Sequence, residues 1–414
     1  MLGIIKNKIY PKLNISIIII IIGLFLLPFL KNIGEKAHTL INYSLISLIF
    51  ILIIVNFFFN KQKVKQHYLI ILFIAFVFSI ECFVSVSSIN IRYLKMFTVD
   101  TFFFISPLLC FLFLEKRHYK LMYRIIIALI IFDNLFLFLF GFLIKLSIFY
   151  RSSSAYAIAY MDVLVINLLL YYLLKKRMDF SISSKIMYVL IIVFLFSCLI
   201  TAGFMIALLT CIISLIITFG LAFFRKRKNV LLYFSILLFS LLALIFLGYY
   251  FLPSLAKSFY RINIMYYERF MDIYSFIYYG KIGNVIAARL QIYAVSINSF
   301  LKYPLFGVAW HINDLTLDYS SISLHSSFLD HMAYFGLLFF ALWFFMIMFP
   351  PLLDSNLKFK TNTLCIPMIL SVLIILSVDN LCTTLGPILF MIFYLIDDRI
   401  KDIKYCKLVY SVSI

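Results

Sequence analysis

Charged side chains are scarce in this sequence. Asp, Glu, Lys and Arg together make up 13% of the 414 residues, against about a quarter in soluble domains. A chain so poor in charge cannot cover itself with a water-facing surface, which excludes a soluble globular protein. Hydrophobic residues make up 65% instead, and apolar runs of roughly 18 or more residues, each long enough to cross a bilayer, recur from end to end. The sequence therefore predicts an all-α polytopic membrane protein.

Three further absences exclude particular sites and partners. The seven cysteines form no CxxC pair, and none lies in the long polar segment 253–328, so we expect neither a disulfide framework nor a zinc site. No paired acidic motif occurs in an outward-facing connection, so we expect no metal cofactor, and nothing predicts another cofactor. The net charge of +19 does not indicate nucleic-acid binding, because the basic residues lie in short clusters between apolar runs, where membrane topology explains them.

The apolar runs predict about twelve membrane spans. Their approximate bounds are 13–30, 39–59, 67–89, 93–114, 121–144, 155–174, 186–202, 204–224, 230–252, 329–349, 363–378 and 381–396. The connection at Gly203 is so short that one kinked pair is the alternative to two separate spans.

The basic residues predict the orientation of these spans. Lysine and arginine clusters recur at every second connection, from the three lysines within residues 6–12 to the basic residues between 399 and 407. The positive-inside rule makes these connections cytoplasmic. Both termini are then cytoplasmic, and we interpret the first run as a retained span, not a cleaved signal peptide. Residues 253–328 form one long external loop between spans nine and ten, within a single membrane domain, 1–414.

Five carboxylates lie in or beside the apolar runs: Glu81, Asp100, Asp133, Asp162 and Asp379. A carboxylate at mid-bilayer costs roughly 2.5–3.5 kcal/mol on the insertion scale, so each should face the bundle or a wet cavity. Glu81 and Asp100 fall at similar depth towards the outer side. They either pair with a nearby basic residue or line an outward-facing site.

The first part of the external loop alternates basic residues with tyrosines between residues 257 and 281. This pattern is typical of a segment lying among lipid headgroups. It also contains Arg261 and Arg269, which we keep as candidates for binding a substrate.

Residues 288–302 predict an amphipathic helix with Tyr293 on its apolar face and Lys302 on its polar face. Arg289 stands at the predicted N-terminal end, where backbone N–H groups and the helix dipole favour an anion. A guanidinium there would hold a phosphate in a bidentate clamp. Contact with a lipid headgroup is the alternative. Tyr293 and Lys302 are further candidates for binding the substrate.

Two histidines precede or begin the next apolar run. His325 lies eleven residues before Gly336, so a helix that includes both would place them on one face. Gly336 would let a neighbouring helix approach closely, and His325 could act as a general base at neutral pH. His331 lies on another face, and we expect its replacement to be mild. Upstream, Pro304 ends the amphipathic helix and Gly307 allows a tight turn.

With this topology and loop, the chain resembles the superfamily of O-antigen polymerases (Wzy) and O-antigen ligases (WaaL). In that superfamily the external loop carries an arginine, an aromatic residue about four positions later, a Pro-x-x-Gly turn, and His-[Asn/Ser/Gln]-x9-Gly at re-entry. This chain has matching residues over about fifty positions: Arg289, Tyr293, Pro304-Leu305-Phe306-Gly307, His325-Ser326 and Gly336.

The resemblance implies a metal-independent glycosyltransferase of the bacterial cytoplasmic (inner) membrane. A polymerase of this kind moves a growing glycan from undecaprenyl diphosphate to the sugar of a new lipid-linked repeat unit. The implied catalytic residues are Arg289, which stabilises the leaving diphosphate, and His325, which takes the acceptor proton. The implied partners are lipid-linked oligosaccharides, the bilayer, a flippase and a chain-length regulator, with no nucleic acid.

The match has departures, and two other functions stay open. Phe339 and Ala309 replace family residues, and the family's membrane-edge arginine is missing at Gly203, where Arg151 is the candidate to replace it. A ligase, which attaches the finished glycan, shares the same loop and histidine motif. A flippase for lipid-linked oligosaccharides also has about twelve spans, but it should show two similar halves and short loops. A purely structural membrane protein would not need the arginines and histidine of the loop.

Overall fold

The computed structural model describes the following parts of the chain, together with short stretches between 250 and 260 and a few isolated positions: 15–24, 35–59, 68–87, 100–114, 116–137, 153–174, 182–224, 264–310, 326–348 and 366–379. These residues form helices and turns, with no strand among them. The helices are α1 (Ile15–Leu24), α2 (Glu35–Phe59), α3 (Tyr68–Ser87), α4 (Asp100–Phe113), α5 (Lys116–Leu137), α6 (Ser153–Leu174), α7 (Ile182–Ala202), α8 (Met205–Phe224), α9 (Ile264–Tyr279), α10 (Asn284–Lys302), α11 (Ser327–Met348) and α12 (Ile366–Val378).

Helices outside the external loop fall on the predicted apolar runs. By length and composition, four of the described helices could cross a membrane, and the segments concerned are Leu40–Phe58, Ala157–Leu174, Ile182–Ala202 and Ser327–Ile347. The expectation of an all-α membrane protein is confirmed. The predicted spans 230–252 and 381–396 lie largely outside the described residues.

Helix α6 forms the centre of the bundle. Of its membrane-length segment, 89% is buried, against 17% for α7 and 22% for α2. It packs against α5, α7, α8 and α12. Its sequence is apolar around most of its circumference, which is the pattern of a helix enclosed by other helices. The exposed apolar faces of α2 and α7 suit lipid contact.

Gly203 separates α7 from α8. Its φ of 82° lies in the left-handed region, which a side chain with a Cβ disfavours. Helix α7 therefore ends at Ala202, and α8 begins at Met205. Both helices pack along α6, so the sequence forms two helices at this point, as the prediction of two spans requires.

Helix α11 coincides with the predicted span 329–349, but it is broken at Gly336. The backbone of this glycine has φ 77° and ψ 173°, outside the helical region. The break divides α11 into two arms, 327–335 and 337–348. Arms of nine and twelve residues extend only roughly 14 and 18 Å, whereas the hydrocarbon core of a bilayer is about 30 Å thick.

The two arms of α11 fold back on each other. The ring centroids of His331 and Trp343 are 3.8 Å apart, and those of Phe328 and Phe344 are 5.7 Å apart. In a straight helix, twelve and sixteen residues of rise would separate these pairs by roughly 18 and 24 Å. The segment predicted as the span 329–349 is therefore a helical hairpin and not one straight helix.

Candidate functional site

The amphipathic helix of the external loop is present, but it begins four residues earlier than predicted. Helix α10 starts at Asn284, so Arg289 lies in its second turn and not at its N-terminal end. Gly283 caps the helix, and a Cβ there would lie 2.0 Å from Oδ1 of Asp272. A carboxylate of the protein thus lies against the helix start that we expected to favour an external anion.

Arg289 and Tyr293 instead meet at the C-terminal end of α12. Arg289 Nη1 donates to the carbonyl of Val378 at 3.2 Å, and the Tyr293 hydroxyl donates to the same carbonyl at 3.0 Å. The last carbonyls of a helix lack partners within it, and the negative end of the helix dipole attracts a guanidinium. The two candidate residues are therefore brought together, one turn apart on α10, and stabilise the end of α12.

The segment that re-enters the membrane binds the same end of α12. Ser326 Oγ donates to the carbonyl of Ser377 at 2.8 Å. The backbone N–H of Ser327 donates to the carbonyl of Asp379 at 3.0 Å. With Val378 these carbonyls are consecutive, so α10 and α11 share one helix end. We call Arg289, Tyr293, Ser296, Ser326, Ser327, Asp330 and residues 377–379 the junction.

Asp330 links α10 to the start of α11. Its Oδ1 accepts from Ser296 Oγ at 2.7 Å, and its Oδ2 accepts from the backbone N–H of Ser326 at 3.3 Å. Asp330 and Ser296 are almost completely buried. Because both carboxylate oxygens have donors, the cost of burying this charge is offset locally.

Asp379 is the second carboxylate of the junction. The Tyr160 hydroxyl of α6 donates to its Oδ2. This contact fastens the junction to the central helix of the bundle. The junction thus joins four elements, α6, α10, α11 and α12.

The Tyr293 hydroxyl has a raised pKa. Partial burial of the phenol is the main cause, and the carboxylates of Asp379 and Asp330 add to it, while Arg289 opposes the shift by charge and hydrogen bonding. The hydroxyl therefore stays protonated at neutral pH and acts as a hydrogen-bond donor.

The Pro-x-x-Gly turn docks on the break in α11. Leu337 N–H donates to the carbonyl of Pro304 at 2.8 Å. Gly307 has φ 75°, and a Cβ on it would lie 2.3 Å from the carbonyl oxygen of Tyr334. A Cβ on Gly336 would lie 2.4 Å from the carbonyl oxygen of Leu305. The expectations of a tight turn at Gly307 and of a close approach at Gly336 are both confirmed, although a turn and not a helix makes the approach.

The other candidate residues are not gathered at the junction. Lys302 lies thirteen residues after Arg289 on α10, roughly 20 Å along the axis, and its ammonium sits 5.7 Å from the Tyr303 ring centroid. Arg269 is half-buried on α9, the helix before α10. Arg151 and Arg261 lie outside the described residues.

His325 also lies outside the described residues. Its covalent neighbour Ser326 belongs to the junction. Helix α11 begins at Ser327 and breaks at Gly336, so the single helix that was to place His325 and Gly336 on one face does not form. That geometric premise is wrong, and the role of His325 as a base stays a prediction.

Sequence reasoning underrated His331. The side chain is 3% exposed, stacks on Trp343, and places Nδ1 2.8 Å from the carbonyl oxygen of Ser327. Its Nε2 lies 4.0 Å from Oε1 of Glu81. The expectation that replacing His331 is mild does not fit a ring enclosed in this way. The signal in the sequence was the glutamate within an apolar run, which required a polar partner.

Thr101 is a second polar neighbour of Glu81. Its hydroxyl donates to Oε1 of Glu81 at 3.0 Å and accepts from Trp343 Nε1 at 3.3 Å. Glu81 therefore has polar partners on α4 and α11, and its described basic neighbour is a histidine. Asp100 begins α4 immediately before Thr101.

No protein-family model matches the chain, and no curated protein matches its sequence. The resemblance of the loop motif to O-antigen polymerases and ligases therefore stays a prediction based on Arg289, Tyr293, the Pro304–Gly307 turn, His325 and Gly336.

Proposed function

We propose that the chain is a surface-polysaccharide polymerase that acts at the outer face of a bacterial cytoplasmic membrane. The observation that carries this proposal is the junction. Arginine, tyrosine and serine from the loop motif bind consecutive carbonyls at the end of α12. The proline turn and the glycine of the same motif form backbone contacts with each other. Residues separated in sequence, but ordered as in that superfamily, are thus close in space.

The proposed reaction transfers a glycan between two lipid-linked molecules. The acceptor hydroxyl attacks the anomeric carbon of the donor sugar and loses its proton to His325. The bond between that carbon and the diphosphate oxygen breaks, and the diphosphate leaves with its electrons. Arg289 stabilises the charge that develops on the leaving group. Holding both reactants at the junction supplies the orientation that the reaction needs.

The charges of the junction limit how strongly Arg289 alone can bind the anionic diphosphate. Arg289 and two carboxylates, Asp330 and Asp379, all lie close enough to Tyr293 for their charges to act on its hydroxyl. The described ionisable groups there are therefore not net positive, whereas an undecaprenyl diphosphate is strongly anionic. A second cation is required beside Arg289. Arg151 and Arg261 are the candidates, and a protonated His325 after proton transfer would add to them.

The proposal includes the membrane arrangement predicted from the basic clusters. About twelve helical segments cross or enter the bilayer, both termini are cytoplasmic, and residues 253–328 face outwards. The partners are undecaprenyl-diphosphate-linked oligosaccharides, supplied by a flippase, and a regulator of chain length.

The test is genetic complementation with the surface glycan as readout. Cells lacking the gene should display single repeat units, whereas loss of a ligase would leave lipid-linked polymer. We expect Arg289→Ala and His325→Ala to abolish polymerisation, and His311→Ala to serve as a control in the same loop.

Arg289→Lys separates catalysis from the stabilisation of α12. A lysine can still donate to the Val378 carbonyl, but it lacks the planar fork that binds phosphate in two places. We expect normal protein level and thermal stability with little polymer. Normal glycan length in Arg289→Ala cells, at equal protein level, would contradict a role in holding the diphosphate.

A further inference from the structure

Two carboxylates that do not belong to the junction are enclosed between α5 and α6. Asp133 is 2% exposed and Asp162 is 1% exposed. Asn134 Nδ2 donates to Oδ1 of Asp162 at 2.7 Å and to the carbonyl of Ile130 at 2.9 Å. The two carboxylates interact electrostatically with each other. Helix α6 is the most buried of the membrane-length helices, so this pair lies inside the bundle and not at its lipid-facing surface.

Asp133 has no hydrogen-bond donor among the residues that the structure describes. Both of its carboxylate oxygens are buried there without a partner. An ionised carboxylate removed from water costs several kcal/mol unless a positive or donating group accompanies it. The carboxylate of Asp133, if ionised, therefore needs a positively charged ligand.

No lysine, arginine or histidine lies within one helical turn of Asp133 or Asp162 in the sequence, and the described basic residues of α5 and α7, such as Arg124 and Lys185, lie in the N-terminal halves of those helices. Cys198 on α7 and Cys211 on α8 lie close enough to Asp162 for its charge to act on their thiols. The described part of α12, Ile366–Val378, contains no titratable side chain. Thiols at these positions add no positive charge and can only increase the negative charge. A bound cation would supply the compensation that the described residues nearest the pair do not.

We propose that Asp133 and Asp162 form a proton-binding site inside the membrane bundle. A proton fits the surroundings better than a metal ion, because metal ions require several converging oxygen ligands. The described residues contain no group of three or more acidic, histidine or cysteine side chains arranged to hold a metal. Asn134 turns its NH2 group, a donor, towards Asp162. Asp162 therefore accepts a hydrogen bond as an ionised carboxylate does, and we assign the proton to Asp133, whose oxygens have no donor among the described residues.

This site goes beyond the glycosyltransferase proposal. With the proton bound, the pair has one negative charge and α5 packs on α6. Loss of the proton would leave two negative charges enclosed in hydrocarbon. A conformation that opens α5 from α6 and admits water would release the proton, and closure would take it up. Proton occupancy is thus coupled to the packing of these helices.

A hydrophobic carbodiimide tests the site on the unmodified protein. Dicyclohexylcarbodiimide partitions into lipid and reacts only with protonated carboxyl groups. With the full chain in lipid nanodiscs, we expect the label on Asp133 or Asp162 by peptide mass spectrometry, and its loss as the pH is raised. Absence of label from both residues at every pH would overturn the proposal. Protection by sodium, but not by choline, at fixed pH would also overturn it, because the ligand would then be a metal ion.

Infrared difference spectra after a pH jump give an independent readout. The carbonyl band of a protonated carboxylic acid should appear on acidification and disappear in Asp133→Asn with Asp162→Asn. Glu81→Gln is the control, because it removes a buried carboxylate of α3 that does not belong to the pair and should leave the band in place. A band unchanged in the double variant would contradict the assignment. If the variants do not fold, the labelling of the unmodified chain decides.

Discussion

The junction and the carboxylate pair inside the bundle both bury polar groups, but they satisfy them differently. At the junction, side chains bind backbone carbonyls at the end of α12, across 89 residues of sequence for Arg289 and Val378. Such carbonyls are available only where a helix ends. Inside the bundle, Asn134 and Asp162 lie 28 residues apart and bind side chain to side chain across two packed helices.

The junction is assembled from segments far apart in the sequence, whereas the carboxylate pair is formed by two helices that follow each other in the chain. The junction depends on the fold-back of α11 and the docking of α10. The carboxylate pair needs only that α5 and α6 pack. Changes to the turn or to α11 should therefore destroy the junction while leaving the α5–α6 contact formed. The following predictions test this separation, from the largest effect to the smallest.

Gly336→Ala should have the largest effect. A Cβ at Gly336 meets the carbonyl oxygen of Leu305 at 2.4 Å, and the backbone has φ +77°. Backbone atoms cannot move aside as a flexible side chain can, so we expect loss of most folded protein. Fluorescence-detected size exclusion would measure it. Gly280→Ala is the matched control, with φ +64° and nothing within 4 Å of its Cβ.

The control separates the strain of a positive φ, which both variants have, from the steric clash with Leu305, which only Gly336→Ala has. Gly280→Ala should cost about 1–2 kcal/mol, the penalty of a left-handed residue, and should leave the protein folded. Equal stability of the two variants would mean that the turn does not press on α11. In that case the comparison between junction and bundle would lose its structural basis.

The sequence predicted the helices well where one physical signal sufficed. The apolar run at 67–89 is long enough to cross a bilayer and predicted a helix there, and the structure has α3 at Tyr68–Ser87. The same signal misled at α11, because its apolar composition continues through Gly336. A glycine in an apolar run is tolerated in a helix, and only the docked turn of Pro304 shows that this one reverses the chain.

The site was harder to predict for a related reason. The sequence singled out Arg289 and Tyr293, and the structure places both against the same carbonyl. Their partner is the backbone carbonyl of Val378. Every residue has such a carbonyl, so the residue type does not mark this one as a partner. The partner of His331 is Glu81, 250 positions away, and nothing in the sequence indicates that the two residues are in contact. Contacts between distant segments require the folded structure.

His331→Ala should have an intermediate effect. The variant loses the stack on Trp343 at 3.8 Å and leaves a cavity beside Glu81. Large-to-small replacements in a buried position cost roughly 2–5 kcal/mol. We expect a decrease of this size in the free energy of unfolding, measured by denaturation of the protein in mixed micelles. Because the ring joins the two arms of α11, the junction should loosen while the α5–α6 contact persists.

His118→Ala is the control for this replacement. His118 lies near the start of α5 and is partly exposed, so its loss should change the free energy of unfolding by about 0.5 kcal/mol or less. A similar small change for His331→Ala would show that the arms of α11 do not depend on the stacked ring.

Tyr293→Phe should have the smallest effect. The variant removes one hydrogen bond to Val378, whereas Arg289 still donates to the same carbonyl. The net contribution of such a bond is about 0.5–1.5 kcal/mol, and the aromatic ring remains in place. Thermal unfolding of the full chain in nanodiscs would measure the difference. A larger loss would mean that the end of α12 depends on the tyrosine and not on the arginine.

The alkaline pH dependence of this variant sharpens the test. Burial raises the pKa of the Tyr293 hydroxyl above its ordinary value of 10.0. Above pH 10 the unfolded chain therefore ionises this phenol before the folded protein does, and ionisation favours unfolding. The stability that the hydroxyl contributes is complete below pH 10 and is lost as the pH rises towards the raised pKa. Since phenylalanine does not titrate, the difference in unfolding free energy between wild type and Tyr293→Phe should shrink as the pH rises above 10. A constant difference across that range would show that the hydroxyl is as well solvated in the folded protein as in the unfolded chain, and that the junction is open to water at Tyr293.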